Sequence, residues 1–226
     1  MIFCLSIDTR AGIIVSLCTL VYVAYVISWY YGETKTEREP ISSVIDAILL
    51  GFASVGVTFF IKAFVLLFSS DYFIQVILLS PLAEEISKDI FVYYLIRQPE
   101  CDEYYDAILY GSFVGAGFAF VENIIYGLIF SQYDTFLGIF IVILRVSFFP
   151  IGHTLFSGIF GLMAYKKNML IGFFVGYVMH ALWNFIAVAP FIYSREYFFG
   201  LIYFLYVLIL YLMIRSAIKQ KKQRNL

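Results

Sequence analysis

The chain of 226 residues is 62% hydrophobic and 20% aromatic, and only 14% of its residues are charged. This composition excludes a soluble domain with an ordinary charged surface and predicts an integral membrane protein. The formal net charge of −1 says nothing about nucleic acid, and no other feature of the sequence points to it. We therefore expect the lipid bilayer, and no nucleic acid, as a partner.

Apolar runs long enough to cross about 30 Å of hydrocarbon as a helix recur along the whole chain. We predict an all-α, polytopic transmembrane helical bundle in which residues 1–226 form a single integral membrane domain. The first run is expected to be retained and not cleaved as a signal peptide. The predicted spans, about seven in number, are 11–31, 45–68, 72–96, 105–130, 135–165, 169–189 and 196–214.

The fifth run is longer than one straight crossing requires, and Pro150 lies inside it. Proline removes a backbone donor and kinks or breaks a helix, so we predict a tilted or partly re-entrant segment at 135–148, before His153. One kinked helix and two separate segments both fit this pattern.

The positions of the lysines and arginines predict the orientation of the bundle. If the amino terminus is outside, only Arg10 and Arg195 fall in outside segments, and the basic tail at 215–226 is inside. Because cytoplasmic segments are enriched in Lys and Arg, we expect the amino terminus outside and the carboxyl terminus inside, with the tail against anionic lipid. The basic residues within predicted spans are Lys62, Lys88 and Arg145.

Two adjacent glutamates, Glu84 and Glu85, lie near the centre of the third run, where hydrocarbon would surround them. Carboxylates at that depth are costly and usually functional. Neighbouring side chains diverge by about 100° around a helix, so one glutamate needs a partner on another helix or lies at the edge of a cavity. Lys88 lies one turn beyond Glu84, in the favourable order for an intrahelical ion pair. A purely structural pair is the less favoured interpretation, because one lysine cannot neutralise two carboxylates.

The fourth run adds Glu122 within the hydrocarbon, somewhat to the outer side. In the same run Gly111, Gly115 and Ala119 repeat at four-residue spacing, which is typical of a helix face that packs closely on a neighbour. We expect this approach to bring Glu122 within reach of the third helix.

The only two histidines of the chain also fall in apolar runs. His153 follows the proline break, and His180 shares one helical face with Asn184, which lies four residues later. Two imidazoles, three acids and an amide at similar depth favour one polar centre assembled from several helices.

In order and spacing these motifs resemble the PrsW-type intramembrane proteases, which are related to the CAAX-protease and bacteriocin-processing membrane proteins. Ala107 stands where this family leads us to expect a glycine. CAAX-type members usually have arginine one position after Lys88 and histidine in place of Glu122, so the resemblance favours the PrsW branch. It covers roughly residues 81–185, which would form the catalytic core. The motifs are Glu84-Glu85-x-x-Lys88, Tyr105-Asp106-Ala107-Ile108-Leu109-Tyr110-Gly111, Gly117-Phe118-Ala119, Glu122-Asn123-x-x-Tyr126, His153 and His180-x-x-x-Asn184.

The resemblance implies an intramembrane endopeptidase in the bacterial cytoplasmic membrane that cleaves membrane-anchored protein substrates, such as an anti-sigma factor. Peptide hydrolysis requires an activated water, a stabilised oxyanion and a protonated leaving amine. One member of the adjacent glutamate pair would be the general base, and Glu122 and His153 would position water or carry its proton. His180 and Asn184 would donate hydrogen bonds to the oxyanion. The candidate catalytic residues are Glu84, Glu85, Glu122, His153, His180 and Asn184.

Two other interpretations use the same residues. A metal-dependent form is open because Glu122, His153 and His180 are plausible zinc ligands, although the chain has no His-Glu-x-x-His motif. A proton or cation transporter is the main alternative function, because intramembrane carboxylates and histidines also form proton relays, although the chain shows no convincing internal repeat. An inactive scaffold that binds a partner helix is a third possibility.

Overall fold

The computed structural model describes residues 39–131 and 151–192, with side chains at 39–129 and 151–185, and four residues nearer the amino terminus. Every element in these ranges is helical, which confirms the all-α prediction for this part of the chain. The four additional residues, all helical, are Leu17, Leu20, Val21 and Ala24. The main helices are α1 (Ile41–Val65), α2 (Ser80–Leu95), α3 (Tyr104–Ser131), α4 (Ile151–Tyr165) and α5 (Met169–Ile192).

Two stretches are long and apolar enough to cross a membrane, Ile41–Phe68 and Tyr104–Ile129, and they agree with the predicted second and fourth spans. Helix α4 and the Met169–Phe185 part of α5 are shorter apolar helices. The seventh span, the lead-in at 135–148 and nearly all of the first span lie outside the described residues.

Large apolar side chains cover the outward faces of the described helices. Phe60 and Phe64 of α1 are 75% and 70% exposed, and Leu170 and Phe174 of α5 are 67% and 59% exposed. Such a surface is unfavourable in water and suits contact with hydrocarbon. It therefore agrees with an integral membrane protein.

The predicted third span is helical but not uniform. A single α-helical turn, Tyr72–Ile74, is followed by a π-helical turn, Gln75–Leu79, and α2 continues directly from it with Pro81 in its first turn. The proline ring clashes with the carbonyl four residues earlier in a regular helix, and a wider turn relieves that clash. The π turn therefore lies just before the segment that carries the two glutamates.

Glycines allow the helices to approach closely. Gly51 of α1 packs against the backbone of α3 at Gly117, and Gly115 of α3 packs against the backbone carbonyl of His153 in α4. The predicted close packing of the Gly111 and Gly115 face is confirmed, but the neighbour is α4 and not the third helix. This packing brings α3 to the histidine of α4.

A tight turn joins α4 to α5. Lys167 has a positive φ of 61°, and the amide of Asn168 donates to the carbonyl of Met163 at 2.8 Å. The amide of Lys167 donates to the carbonyl of Ala164 at 2.9 Å, which completes a Schellman motif. The turn sends the chain back beside α4, which allows His153 and His180 to meet.

The close contact between α1 and α3 predicts the effect of a single methyl group. A Cβ at position 51 would lie 2.9 Å from Gly117 Cα and 3.0 Å from Phe118 N, whereas a Cβ at position 56 would meet nothing within 4 Å. We expect Gly51→Ala to destabilise the fold by about 1–3 kcal/mol and Gly56→Ala to be neutral or slightly stabilising. Thermal unfolding of the purified variants in detergent measures this difference, and equal midpoints would contradict the packing.

Candidate active site

Glu85 is at the centre of a buried ionic network. Its side chain is 1% exposed, and its Oε1 accepts a hydrogen bond from Lys88 Nζ at 2.6 Å. The same oxygen lies 2.5 Å from Nδ1 of His180, which α5 brings to this position. The prediction that Lys88 pairs with Glu84 is wrong, because Lys88 turns to the glutamate three residues earlier. One carboxylate oxygen thus joins α2 to α5.

Glu84 also lies beside His180, but its hydrogen-bond partner is on α1. Its Oε1 accepts a hydrogen bond from Lys62 Nζ at 2.7 Å. Its Oε2 is buried and has no hydrogen-bond partner, and it lies 3.5 Å from Nε2 of His180. We predicted that one glutamate needs a partner on another helix, and for Glu84 that partner is Lys62 of α1.

His153 of α4 has a polar partner on each ring nitrogen. Lys88 Nζ lies 3.1 Å from its Nδ1, and Oε2 of Glu122 lies 3.1 Å from its Nε2. Because an ammonium group can only donate, Nδ1 is the acceptor and the proton is on Nε2, where it is donated to Glu122. Lys88 thus connects Glu85 with His153.

Aromatic rings fix the orientation of both imidazoles. Phe156 stacks on His180 with ring centroids 5.5 Å apart and planes at 29°, and the two histidines meet edge to face at 4.9 Å. Phe118 lies 5.1 Å from His153 and also under the ammonium of Lys88 at 5.1 Å. The apolar rings exclude water, which strengthens each electrostatic contact.

The two imidazoles and Glu84 form a group that fits a divalent metal. One ligand atom of each residue lies within 4.8 Å of the others. When His180 is neutral and donates Nδ1–H to Glu85, its Nε2 carries a lone pair that faces the lone pairs of Glu84 Oε2. These lone pairs repel each other unless a proton or a cation lies between them. Two histidines and one glutamate are the ligands of one class of catalytic zinc sites.

The metal group differs from the set expected from the sequence. Glu84 approaches the two imidazoles, whereas Glu122 is hydrogen-bonded to His153. A carboxylate bonded to the second nitrogen of a metal-ligating histidine is a common feature of metal sites. Glu122 is bonded to His153 in this way, and Glu85 is bonded to His180.

Asn184 lies on the same face of α5 as His180 but has a different contact. Its Nδ2 donates to the backbone carbonyl of Val76, in the π turn before α2, at 2.9 Å. The proposed hydrogen bond from Asn184 to an oxyanion stays a prediction.

Sequence reasoning assigned no role to Lys62 or Asp89. Lys62 has no acid three or four residues away on its own helix, so its partner had to come from another helix. That pattern, a lysine alone in an apolar run, was the available signal. Asp89 is buried one turn after Glu85, and its Oδ1 has no hydrogen-bond partner.

Comparison with known proteins agrees with this geometry. A family model described as PrsW family intramembrane metalloprotease matches residues 39–214, which is most of the chain. The chain belongs to the PrsW family. The resemblance inferred from the motifs is thereby confirmed, and with it an intramembrane protease as the coarse function.

Curated PrsW relatives extend the match. The chain is 31% identical to Protease PrsW of Oceanobacillus iheyensis over 191 residues, which cover 78% of this chain and 80% of that protein. It is also 31% identical to Protease PrsW of Geobacillus kaustophilus over 176 residues, with 72% and 75% covered. Protease PrsW of Bacillus subtilis is 30% identical over 104 residues, with 44% and 47% covered. No solved structure matches the chain.

The buried Glu85–Lys88 pair predicts strong coupling in this PrsW protein. Glu85→Gln and Lys88→Met are each expected to lower stability by about 3–5 kcal/mol, because each leaves an uncompensated buried charge. The double variant should be less destabilised than the sum of the two. Thermal unfolding in detergent measures the cycle, with Glu100→Gln at an exposed position as a control. Strict additivity would show that the two charges do not interact.

Proposed function

We propose that this chain is a metal-dependent intramembrane endopeptidase in which Glu84, His153 and His180 hold a divalent cation. The observation that carries the proposal is the buried, unpartnered Oε2 of Glu84, which faces Nε2 of His180 at 3.5 Å. Charge supports the same conclusion, because the ammonium groups of Lys62 and Lys88 can neutralise only two of the three nearby glutamates. A cation would balance the remaining carboxylate.

When bound, a divalent cation supplies Lewis-acid chemistry that polarises a peptide carbonyl and activates water. The protein's own contribution is to present the ligands in the correct protonation state. Glu85 holds the proton of His180 on Nδ1 and leaves Nε2 free. His153 has both nitrogens engaged, so it joins the ligand set by exchanging Lys88 or Glu122 for the cation.

Glu122 is the carboxylate best placed to take a proton from the attacking water. Its side chain is 14% exposed, whereas those of Glu84 and Glu85 are 3% and 1% exposed. A general base must lie within hydrogen-bond reach of its substrate, and the most accessible carboxylate meets that need. Once protonated, Glu122 is the group that can return the proton to the leaving amine, while His153 stays in the ligand set.

Lys62 is the other partly exposed member of the site, with 24% of its side chain accessible. Its ammonium group holds Glu84 in place and provides positive charge on the same side as Glu122. We infer that water and the peptide approach from this side, where α1 and α3 meet, and that Lys62 stabilises developing negative charge.

The substrate inferred from the family is a membrane-anchored protein, with an anti-sigma factor as the specific case. A scissile bond within a helix is shielded by its own hydrogen bonds, so the substrate helix must enter laterally and unwind locally. The inferred setting is the bacterial cytoplasmic membrane, with the amino terminus outside.

Metal content tests the ligand set directly. The wild-type protein, reconstituted with Zn²⁺ and desalted, should retain about one metal ion per chain, and Glu84→Gln or His180→Ala should retain less than half of that amount. Elemental analysis measures this, with Glu100→Gln as the matched glutamate control.

Cleavage should stop with chelator and return with metal. Full activity in metal-free protein would instead support a glutamate mechanism.

New amino termini among membrane proteins test the activity in cells. Cells that express the wild type should contain fragments that fall on the order of 10²-fold or more with Glu84→Gln or Glu85→Gln at equal abundance, because the first variant loses a ligand of the cation and the second loses the carboxylate that orients His180. Glu100→Gln should match the wild type. If all variants gave the same termini and liposomes showed ion flux that depends on Glu85, the transporter alternative would replace this proposal.

A further inference from the structure

The helix that carries the catalytic glutamates has a break in its backbone hydrogen bonding. In the π turn Gln75–Leu79, the amide of Ser80 donates to the carbonyl of Gln75, five residues earlier, and is no longer available to Val76. The next donor in that pattern is residue 81, which is proline and has no N–H. The carbonyl of Val76 therefore has no donor within its own helix.

Asn184 of α5 supplies the missing donor. Its Nδ2 lies 2.9 Å from the carbonyl oxygen of Val76, although the two residues are 108 positions apart in the chain. An unpaired carbonyl is costly in hydrocarbon, because no water is available to satisfy it. Edge-to-face packing of Phe73 and Phe185, with centroids 6.0 Å apart, supports the same contact between the two segments.

The contact lies one helical turn from the reaction centre. Asn184 follows His180 by four residues, and His180 bonds Glu85, which lies nine residues after Val76. Helix α5 is thus held to the 72–95 helical segment at two points along its length. Loss of the Asn184–Val76 contact would leave α5 free to shift or rotate about the Glu85–His180 contact.

We propose that Asn184 is a positioning residue: it completes the broken backbone at Val76 and thereby sets the register of His180 against Glu84 and Glu85. In this role its amide acts on the protein backbone and not on the substrate. The inference rests on the proposed function for its kinetic readout, while the hydrogen bond itself is measured through stability.

Restoring a backbone donor tests the proposal. Asn184→Ala should lower the unfolding midpoint and, well below that temperature, lower kcat on the order of tenfold with little change in KM, since small displacements of reacting groups are costly. Pro81→Ala returns an N–H to this turn, so the double variant should recover at least half of both losses. Pro81→Ala alone should have near-normal activity.

Gln98→Ala is the matched control, because Gln98 Nε2 also donates to a backbone carbonyl, that of Tyr94, but in an exposed hydrogen bond. Gln98→Ala should change neither the unfolding midpoint nor kcat. If Asn184→Ala does not accumulate, recovery of folded protein by Pro81→Ala supports the proposal.

Two outcomes would overturn the positioning role. A lower kcat that Pro81→Ala does not restore would show that Asn184 acts directly on the reaction, as an oxyanion donor would. A lower midpoint with unchanged kcat would show a contact without influence on His180. If the wild type cleaved no substrate, the proposed function would fail, whereas the stability cycle would still measure the bond to Val76.

Discussion

One carboxylate oxygen, Oε1 of Glu85, receives both Lys88 and His180, and the organisation of the site depends on this shared contact. Through Lys88 the same network reaches His153 and then Glu122, so four helices are joined by consecutive polar contacts. In surroundings of low polarity such contacts are strong when complete and costly when one member is missing. The network therefore specifies a single arrangement of the helices around the reaction centre.

The helices can reach this arrangement because glycine lines their contacts. Lipid chains are as apolar as the side chains, so burial of apolar surface drives association of helices in a membrane only weakly. Close backbone packing at Gly51, Gly111 and Gly115 supplies contact area instead. The same close approach brings Glu122 within hydrogen-bond distance of His153. Packing and chemistry thus have a common structural origin in this bundle.

Sequence periodicity and composition were sufficient to predict that the residues described by the structure are all helical, and motif order was sufficient to predict the family. The polar residues singled out by their depth include Glu84, His153 and His180, which the structure brings together. The pairing of these groups was not predictable in the same way. Spacing along α2 favoured Lys88 for Glu84, but the choice of partner depends on how α1 and α5 are rotated against α2.

The π turn shows a second limit of prediction. Pro81 lies in the first turn of α2, and a proline near a helix start is fully compatible with a regular first turn. Only the position of Ser80, whose amide donates to Gln75, identifies the wider turn. The proposed role of Asn184 depends on this π turn. Its partner is a backbone carbonyl, which every residue has, so the sequence could not single it out.

The chain separation of the site residues has a consequence for biosynthesis. His180 lies 95 residues after Glu85, so the carboxylate is made and inserted long before its imidazole partner exists. Contacts this distant in sequence form late, after the intervening helices have been synthesised. A nascent chain that lacks α5 has Glu85 without its imidazole partner. On the proposed ligand set, such a chain cannot hold the cation, and the site is completed only when α5 joins the bundle.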